Sequence, residues 1–167
     1  MSMKRLLIFS ALLTLMVCST ANAAEKEISF LNIPQDRMGL VRNLLLSDST
    51  SKDELKEWNL VIERDVKFSD LSLNDGKNSQ IALSITNKNY CSHYGFTLKI
   101  WEFKNGKWIQ ILGTIAEKLS VQDEVDNGYH RLIEHRPIYT GEKWIERKPF
   151  QYIWNGKKYD SDGDEKG

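Results

Sequence analysis

Between positions 60 and 160 the apolar residues recur at every second place, in short runs broken by turn residues. Val66 and Phe68 alternate with charged neighbours and predict a first strand. Residues 80–86 predict a second, with Ile81, Leu83 and Ile85 on one face. Residues 95–103 predict a third, with Phe96, Leu98 and Ile100 on one face and Trp101 and Phe103 on the other. A strand that is apolar on both faces is expected to be central. Asn105-Gly106 predicts a tight hairpin, because both residues tolerate positive φ, and residues 107–112 are its returning strand. A weaker strand pattern follows at 118–122, and after the turn Asp126-Asn127-Gly128 residues 129–135 predict a strand with Leu132 and Ile133, which Pro137 ends or marks as an edge. Beyond the turn Thr140-Gly141-Glu142, residues 144–148 and 150–154 are predicted to pair. Asn155-Gly156 is a third Asn-Gly turn, and residues 157–159 close the sheet.

Upstream the period differs. Ile28, Phe30, Leu31 and Ile33 suggest a strand-like arm over 24–33. Pro34-Gln35-Asp36 then opens a helix, since proline suits a first turn and an acid suits the positive end of the dipole. Met38, Val41, Leu44 and Leu45 share one face, with Leu40 and Leu46 widening the stripe. Ser51 with Glu54 three places on forms a capping-box pattern for a second helix over 52–58. The predicted fold class is therefore α+β: two short N-terminal helices packed on an antiparallel β-meander. Residues 24–160 are expected to be a single α+β domain and 161–167 a frayed polar tail.

The first 23 residues read as a signal peptide. Lys4 and Arg5 precede an apolar run over 6–17, and Ala21-Asn22-Ala23 offers the small-x-small pattern of a cleavage site. That run is shorter than the roughly 20 residues a spanning helix needs. A lipoprotein signal with Cys18 lipidated is the rival reading, although Val17 is large for that motif. The expected location is periplasmic or secreted. Cleavage leaves 144 residues with 21 basic and 23 acidic side chains. Such a balance has no basic excess to draw nucleic acid or an anionic membrane. Only Cys91 then remains, so no internal disulfide is expected. Its thiol is a buried small side chain, a nucleophile or a link to another chain.

Four groups of residues are candidates for chemistry. Asp70, Ser72, Asn74 and Asp75, with Gly76, resemble the start of a calcium loop, but the late ligand position holds the neutral Gln80. Asp70, Asn74 and Asp75 are therefore degenerate metal candidates, and no metal or other cofactor is assigned. Cys91-Ser92-His93-Tyr94 sets a thiol near an imidazole, yet a nucleophile needs a base within reach and zinc needs three or four ligands. His130 and His135 are five apart and so point to opposite faces of one strand. The tail Asp160-Ser161-Asp162-Gly163-Asp164 stops before a bidentate calcium ligand could follow. Trp101, Trp108, Trp144, Tyr152 and Trp154 are either core or, if they share an exposed face, a binding patch.

Several of these pieces recur together elsewhere. Asn74-Asp75-Gly76-Lys77, the strand 80–85, Cys91, the stretch 101–108, Asn127-Gly128-Tyr129 and the closing 154–159 resemble a family of exported bacterial proteins of unassigned function. That family carries a DGDGKPE-type turn and a C-terminal W-x-GKKY motif. The resemblance spans roughly residues 64–160. Gln80 replaces an acidic residue, a second loop cysteine is missing, and His130-Arg131 replaces an acidic preference. The family implies no enzymatic activity. The expected function is an exported non-enzymatic binding protein, concretely an inhibitor or immunity protein against a cell-envelope-targeting enzyme. Tyr90, His93 and Tyr94 in the loop are the expected contacts to that partner, another protein. The alternative is a small envelope module that binds a cation or small ligand; a hydrolase using Cys91 ranks last.

Overall fold

The computed structural model describes residues 24–48, 52–53, 55–56, 59–87, 95–146 and 149–162. Two antiparallel five-stranded sheets pack face to face, and one helix covers the far side of the first. The first sheet runs β2 (Leu31–Asn32), β3 (Val66–Leu71), β4 (Gln80–Ile85), β5 (Phe96–Lys104) and β6 (Lys107–Ala116). The second runs β1 (Glu25–Glu27), β7 (Lys118–Asp126), β8 (Tyr129–His135), β11 (Phe150–Trp154) and β12 (Tyr159–Ser161). A separate hairpin joins β9 (Pro137–Tyr139) to β10 (Trp144–Glu146). The helices are α1 (Met38–Ser47) and the single turn α2 (Ile62–Asp65).

The α+β class and the antiparallel pairing agree with the periodicity, but the single meander does not. Every residue of β4 is buried, so that strand needs cover on both faces. Ile81, Leu83 and Ile85 meet Val41, Leu44 and Leu45 of α1 on one side. A ten-residue helix is only about 15 Å long, too short to cover both faces of a five-stranded sheet. The other face carries Ala82, Leu98 and Ile100, and the second sheet covers it with Leu119 and Leu132. The chain changes sheet at Glu117, between β6 and β7, where the Glu117 amide donates to the His135 carbonyl. A bulge at Ile111 helps to turn the outer strand inward: Ile100 pairs with Leu112 and Trp101 with Gln110, so Ile111 and Leu112 both enter the inter-sheet core.

The helical lid is also smaller than its pattern suggests. α1 begins at Met38, after a turn closed by the Arg37 amide on the Pro34 carbonyl. Lys52, Asp53, Leu55 and Lys56 have helical backbone, but Ser51 and Glu54 lie outside the described residues. Among the described residues α1 is the one helix longer than a single turn, which corrects the expected pair. Among the described residues the stretches 144–146 and 150–154 do not pair with each other. Trp144–Glu146 pairs with β9, while Phe150–Trp154 lies between β8 and β12. Asn105-Gly106 and Asn127-Gly128 both take positive φ, as a tight hairpin requires. At 155–156 only Gly156 does so; the Asn155 carboxamide oxygen instead accepts from the Lys157 and Lys158 amides. Strand β12 includes Ser161, and the Asp162 amide bonds to the Gln151 carbonyl, so ordered backbone continues past 160. Residues 1–23 lie outside the described residues, and no helix among those described is long and apolar enough to cross a membrane.

Candidate functional site

The two ends of the sandwich differ in chemistry. At one end the turn 72–79 folds over the starts of β4 and β8. Glu102 is buried there, and its Oε1 accepts from Asn74 Nδ2 at 3.2 Å, Asn78 Nδ2 at 3.0 Å, Gln80 Nε2 at 3.1 Å and the Tyr129 hydroxyl at 2.6 Å. Two backbone amides set the carboxamides that way round. Asn78 N–H donates to Asn74 Oδ1, and Leu73 N–H donates to Gln80 Oε1. The NH2 groups must then face Glu102, so this pocket presents donors to a carboxylate rather than oxygens to a cation. Burial, then the bond to Glu102, raises the Tyr129 pKa. Tyr129 also stacks on Trp154 with centroids 3.9 Å apart, and Tyr159 meets Trp154 edge-on.

The metal candidates do not converge at this end. Asp70 is exposed and lies 3.6 Å from Arg37, whereas Asn74 is buried and turned to Glu102. Asp75 is exposed and 3.3 Å from His130 Nε2. Among the described residues no three His, Cys, Asp or Glu side chains gather as a metal would require. The aromatic candidates also divide. Trp101 and Trp154 are buried in different cores, and Tyr152 donates to the buried Glu134 at 2.5 Å. Trp108 is half-buried beside the exposed Phe103. The Trp144 side chain lies outside what is described.

The opposite end carries the β4–β5 loop. Tyr90, Cys91, His93 and Tyr94 lie outside the described residues, but both stubs of the loop are well held. Asn87 is buried, and its Nδ2 donates to Asp65 Oδ2 at 3.0 Å. Thr86 N–H donates to the Asp65 carbonyl at 2.7 Å, and Val61 N–H to Asp65 Oδ2 at 2.8 Å. Arg64, followed by the Val61 and Asn87 bonds, holds the Asp65 carboxyl well below the usual carboxylate range against the pull of desolvation. On the far stub Gly95 has φ +128°, and a Cβ there would stand 2.2 Å from the Ala116 carbonyl carbon. Only glycine fits both that backbone and that gap.

Two cavities open beside these stubs. One, of about 220 Å³, enters between the sheets among Phe30, Phe96, Leu98 and Leu119, with Lys67 and Thr86 also on its wall. The other, of about 620 Å³, lies on the outer face of the second sheet, walled by Pro137 and Ile145 of the β9–β10 hairpin. They share Glu27, Glu117 and Lys118. Comparison with family models, curated proteins and solved structures finds no match to this chain.

The site must therefore be read from its own chemistry. In the larger cleft His135 Nε2 lies 2.6 Å from Glu25 Oε1, and Ser120 also bonds Glu25. The His135 bond is the main cause that holds the Glu25 carboxyl below its ordinary range, with desolvation opposing it. The carboxylate thus stands between hydroxyl and imidazole, whereas a base-activated serine needs the imidazole against the hydroxyl. Arg136 reaches back to the buried Glu134, with Nε to Oε1 at 2.7 Å, and lies over the Phe150 ring. Sequence reading noted His135 only as a poor zinc ligand and missed Glu25, Glu27, Glu117 and Lys118. The alternation Glu25-Lys26-Glu27-Ile28 was the available signal, since it puts both acids on one strand face.

Proposed function

We propose that this chain is an exported, non-enzymatic binding protein that holds another protein, concretely an inhibitor or immunity protein against a cell-envelope-targeting enzyme. The observation that carries the reading is the asymmetry of the two ends. At one end Asn74, Asn78, Gln80 and Tyr129 turn their donors inward onto the buried Glu102. At the other, Asn87 is anchored on Asp65 and Gly95 is packed against Ala116, next to a charged cleft, and the β4–β5 connection runs between these two residues. Loops placed by a rigid scaffold are where binding groups concentrate. The signal-like N-terminus and the resemblance to exported bacterial proteins agree with this reading. Tyr90, His93 and Tyr94 are the proposed contacts, because the fixed stubs would keep the ordering cost of such a loop low.

Capture from cell-envelope extract on immobilised protein tests it. Stoichiometric recovery of an envelope-active enzyme, inhibited by the wild type and at least tenfold less by a Tyr90→Ala/Tyr94→Ala variant, is the expected result. Recovery of no stoichiometric protein overturns it. The size of the larger cleft favours one second reading, an envelope module for a small ligand or cation. That reading predicts a Tm that rises with ligand, and an unchanged Tm in millimolar calcium removes its cation form.

A further inference from the structure

Ser84 is a polar residue in an otherwise apolar stretch of the inter-sheet core. It lies opposite Lys67 of β3 and Leu98 of β5. Directly opposed residues of an antiparallel pair share a face, so its side chain turns with Leu98 toward the second sheet. Ser84 is only 3 % exposed, and its hydroxyl makes no hydrogen bond among the described residues. Its Oγ is not sealed in, as the unpartnered Gln122 Oε1 is, but opens on the cavity of about 220 Å³ between the sheets. Buried polar groups are nearly always paired, so such a hydroxyl calls for a cause. The other polar groups around the cavity are engaged or lie at its rim. Lys67 Nζ donates to Asn32 Oδ1 at 2.8 Å, Thr86 Oγ1 donates to the Asp65 carbonyl at 3.2 Å, and Glu27 lies 3.8 Å from Lys118. Glu117 is exposed. Two lysines and two glutamates thus balance at the rim, which selects neither sign of charge. The rest of the wall is Ile28, Phe30, Phe96, Leu98 and Leu119.

We propose that this cavity binds a small neutral aromatic alcohol, a phenol of one ring, whose hydroxyl pairs with Ser84. Size points to a single ring: a void of about 150 Å³ lined by aliphatic and aromatic groups takes up benzene, and this one is larger by about a methyl and a hydroxyl. Phe30 and Phe96 offer ring faces and edges for offset or edge-on contact. Ser84 Oγ both donates and accepts, so it meets a phenolic hydroxyl in either sense. A ligand with more polar groups would leave them unpaired against the apolar wall, and a charged one would be desolvated without a counter-ion. The site is separate from the β4–β5 loop, and the protein-binding reading neither requires it nor fails with it.

The test is amide-resolved NMR of the 15N-labelled protein, titrated with 4-methylphenol, toluene and 4-methylbenzoate. Saturable shifts centred on Phe30, Ser84, Leu98 and Leu119 are expected with 4-methylphenol, weaker binding at the same residues with toluene, and none with 4-methylbenzoate. The S84A variant, which loses an unpartnered hydroxyl, should keep or raise its Tm. It should bind 4-methylphenol about three- to tenfold more weakly and toluene as tightly as the wild type does. No saturable shift, shifts centred elsewhere, equal binding of 4-methylbenzoate, or undiminished binding of 4-methylphenol by S84A would each overturn the inference. A lowered Tm for S84A would do so too, since it would show the hydroxyl already held. Tighter binding of acetyl-Gly-Tyr-Gly-amide than of 4-methylphenol at the same residues would make the occupant a side chain of another protein, and so overturn the assignment to a small molecule.

Discussion

The Tyr129 hydroxyl donates a 2.6 Å hydrogen bond to Glu102, a contact that helps to tie the second sheet to the first across their shared core. Glu102 lies opposite Gln80, and its Oε1 is the common acceptor of the whole turn. Replacing Glu102 with Leu leaves four donors facing hydrocarbon, so a loss of about 3 kcal/mol or more is expected. Glu102→Gln retains an acceptor oxygen and should cost clearly less. Tyr129→Phe keeps the stacking on Trp154 and removes one donor, for about 1–2 kcal/mol. Urea unfolding of the three variants checks the order, and a Leu variant as stable as the Gln variant would contradict it.

Asp65 anchors the first stub of the loop. Its Oδ2 accepts from both Val61 N–H and Asn87 Nδ2, and Arg64 Nε donates to Oδ1 at 2.6 Å. In an Asp65→Asn variant one end of the carboxamide is a donor, so a donor must face a donor. A loss of about 1–3 kcal/mol is expected. Faster hydrogen exchange should appear at Thr86, whose amide depends on the Asp65 carbonyl. Unchanged exchange at Thr86 would show that the carboxylate does not hold the stub.

Two glycines with positive φ separate backbone strain from collision. At Gly106, φ is +77° and nothing lies within 4 Å of an added Cβ. Gly106→Ala should therefore cost about 1 kcal/mol, the conformational penalty alone. At Gly95 the same change drives a methyl into the backbone of Ala116 and Glu117. Gly95→Ala should lower Tm far more or abolish soluble expression. Equal Tm values for the two variants would refute the close packing at the loop base.

Acid should destabilise the fold below about pH 4. The carboxyls of Asp65, Asp126 and Glu25 all have lowered pKa values, the main cause in each case being a hydrogen bond, from Arg64, Arg131 and His135 respectively. Below the ordinary carboxyl value of about 4 the unfolded chain binds more protons than the native one. Stability is thus present above that pH and lost as pH falls. Asp65→Asn should flatten part of this acid limb.

Alkali works through the tyrosines. Burial pushes Tyr152 up to about 12 and raises Tyr129 and Tyr159 as well. Above about pH 10 the unfolded chain releases phenolic protons that the native protein keeps, so stability falls as pH rises. Absorbance titration should show these phenols ionising only as the fold is lost. Titration of all of them near 10 with the circular dichroism intact would contradict this.

The chain by itself determined the strands and two of their hairpins, because a period of two and an Asn-Gly pair are local properties. Ile81, Leu83 and Ile85 share a face for that reason, and Asn105-Gly106 can close a hairpin whatever surrounds it. Local pattern also marked the stripe of Val41, Leu44 and Leu45. It did not say which sheet a strand would join. That followed from the need to cover both faces of β4, which one short helix cannot do, so the chain turns at Glu117 and supplies a second sheet. Nor could sequence spacing reveal the cleft. Glu25 and His135 are 110 residues apart, and only the pairing of β1 with β7 and of β7 with β8 brings them to 2.6 Å. Glu102 sits in an aromatic run as an ordinary acid, and its burial among Asn74, Asn78, Gln80 and Tyr129 exists only once three separate segments have met.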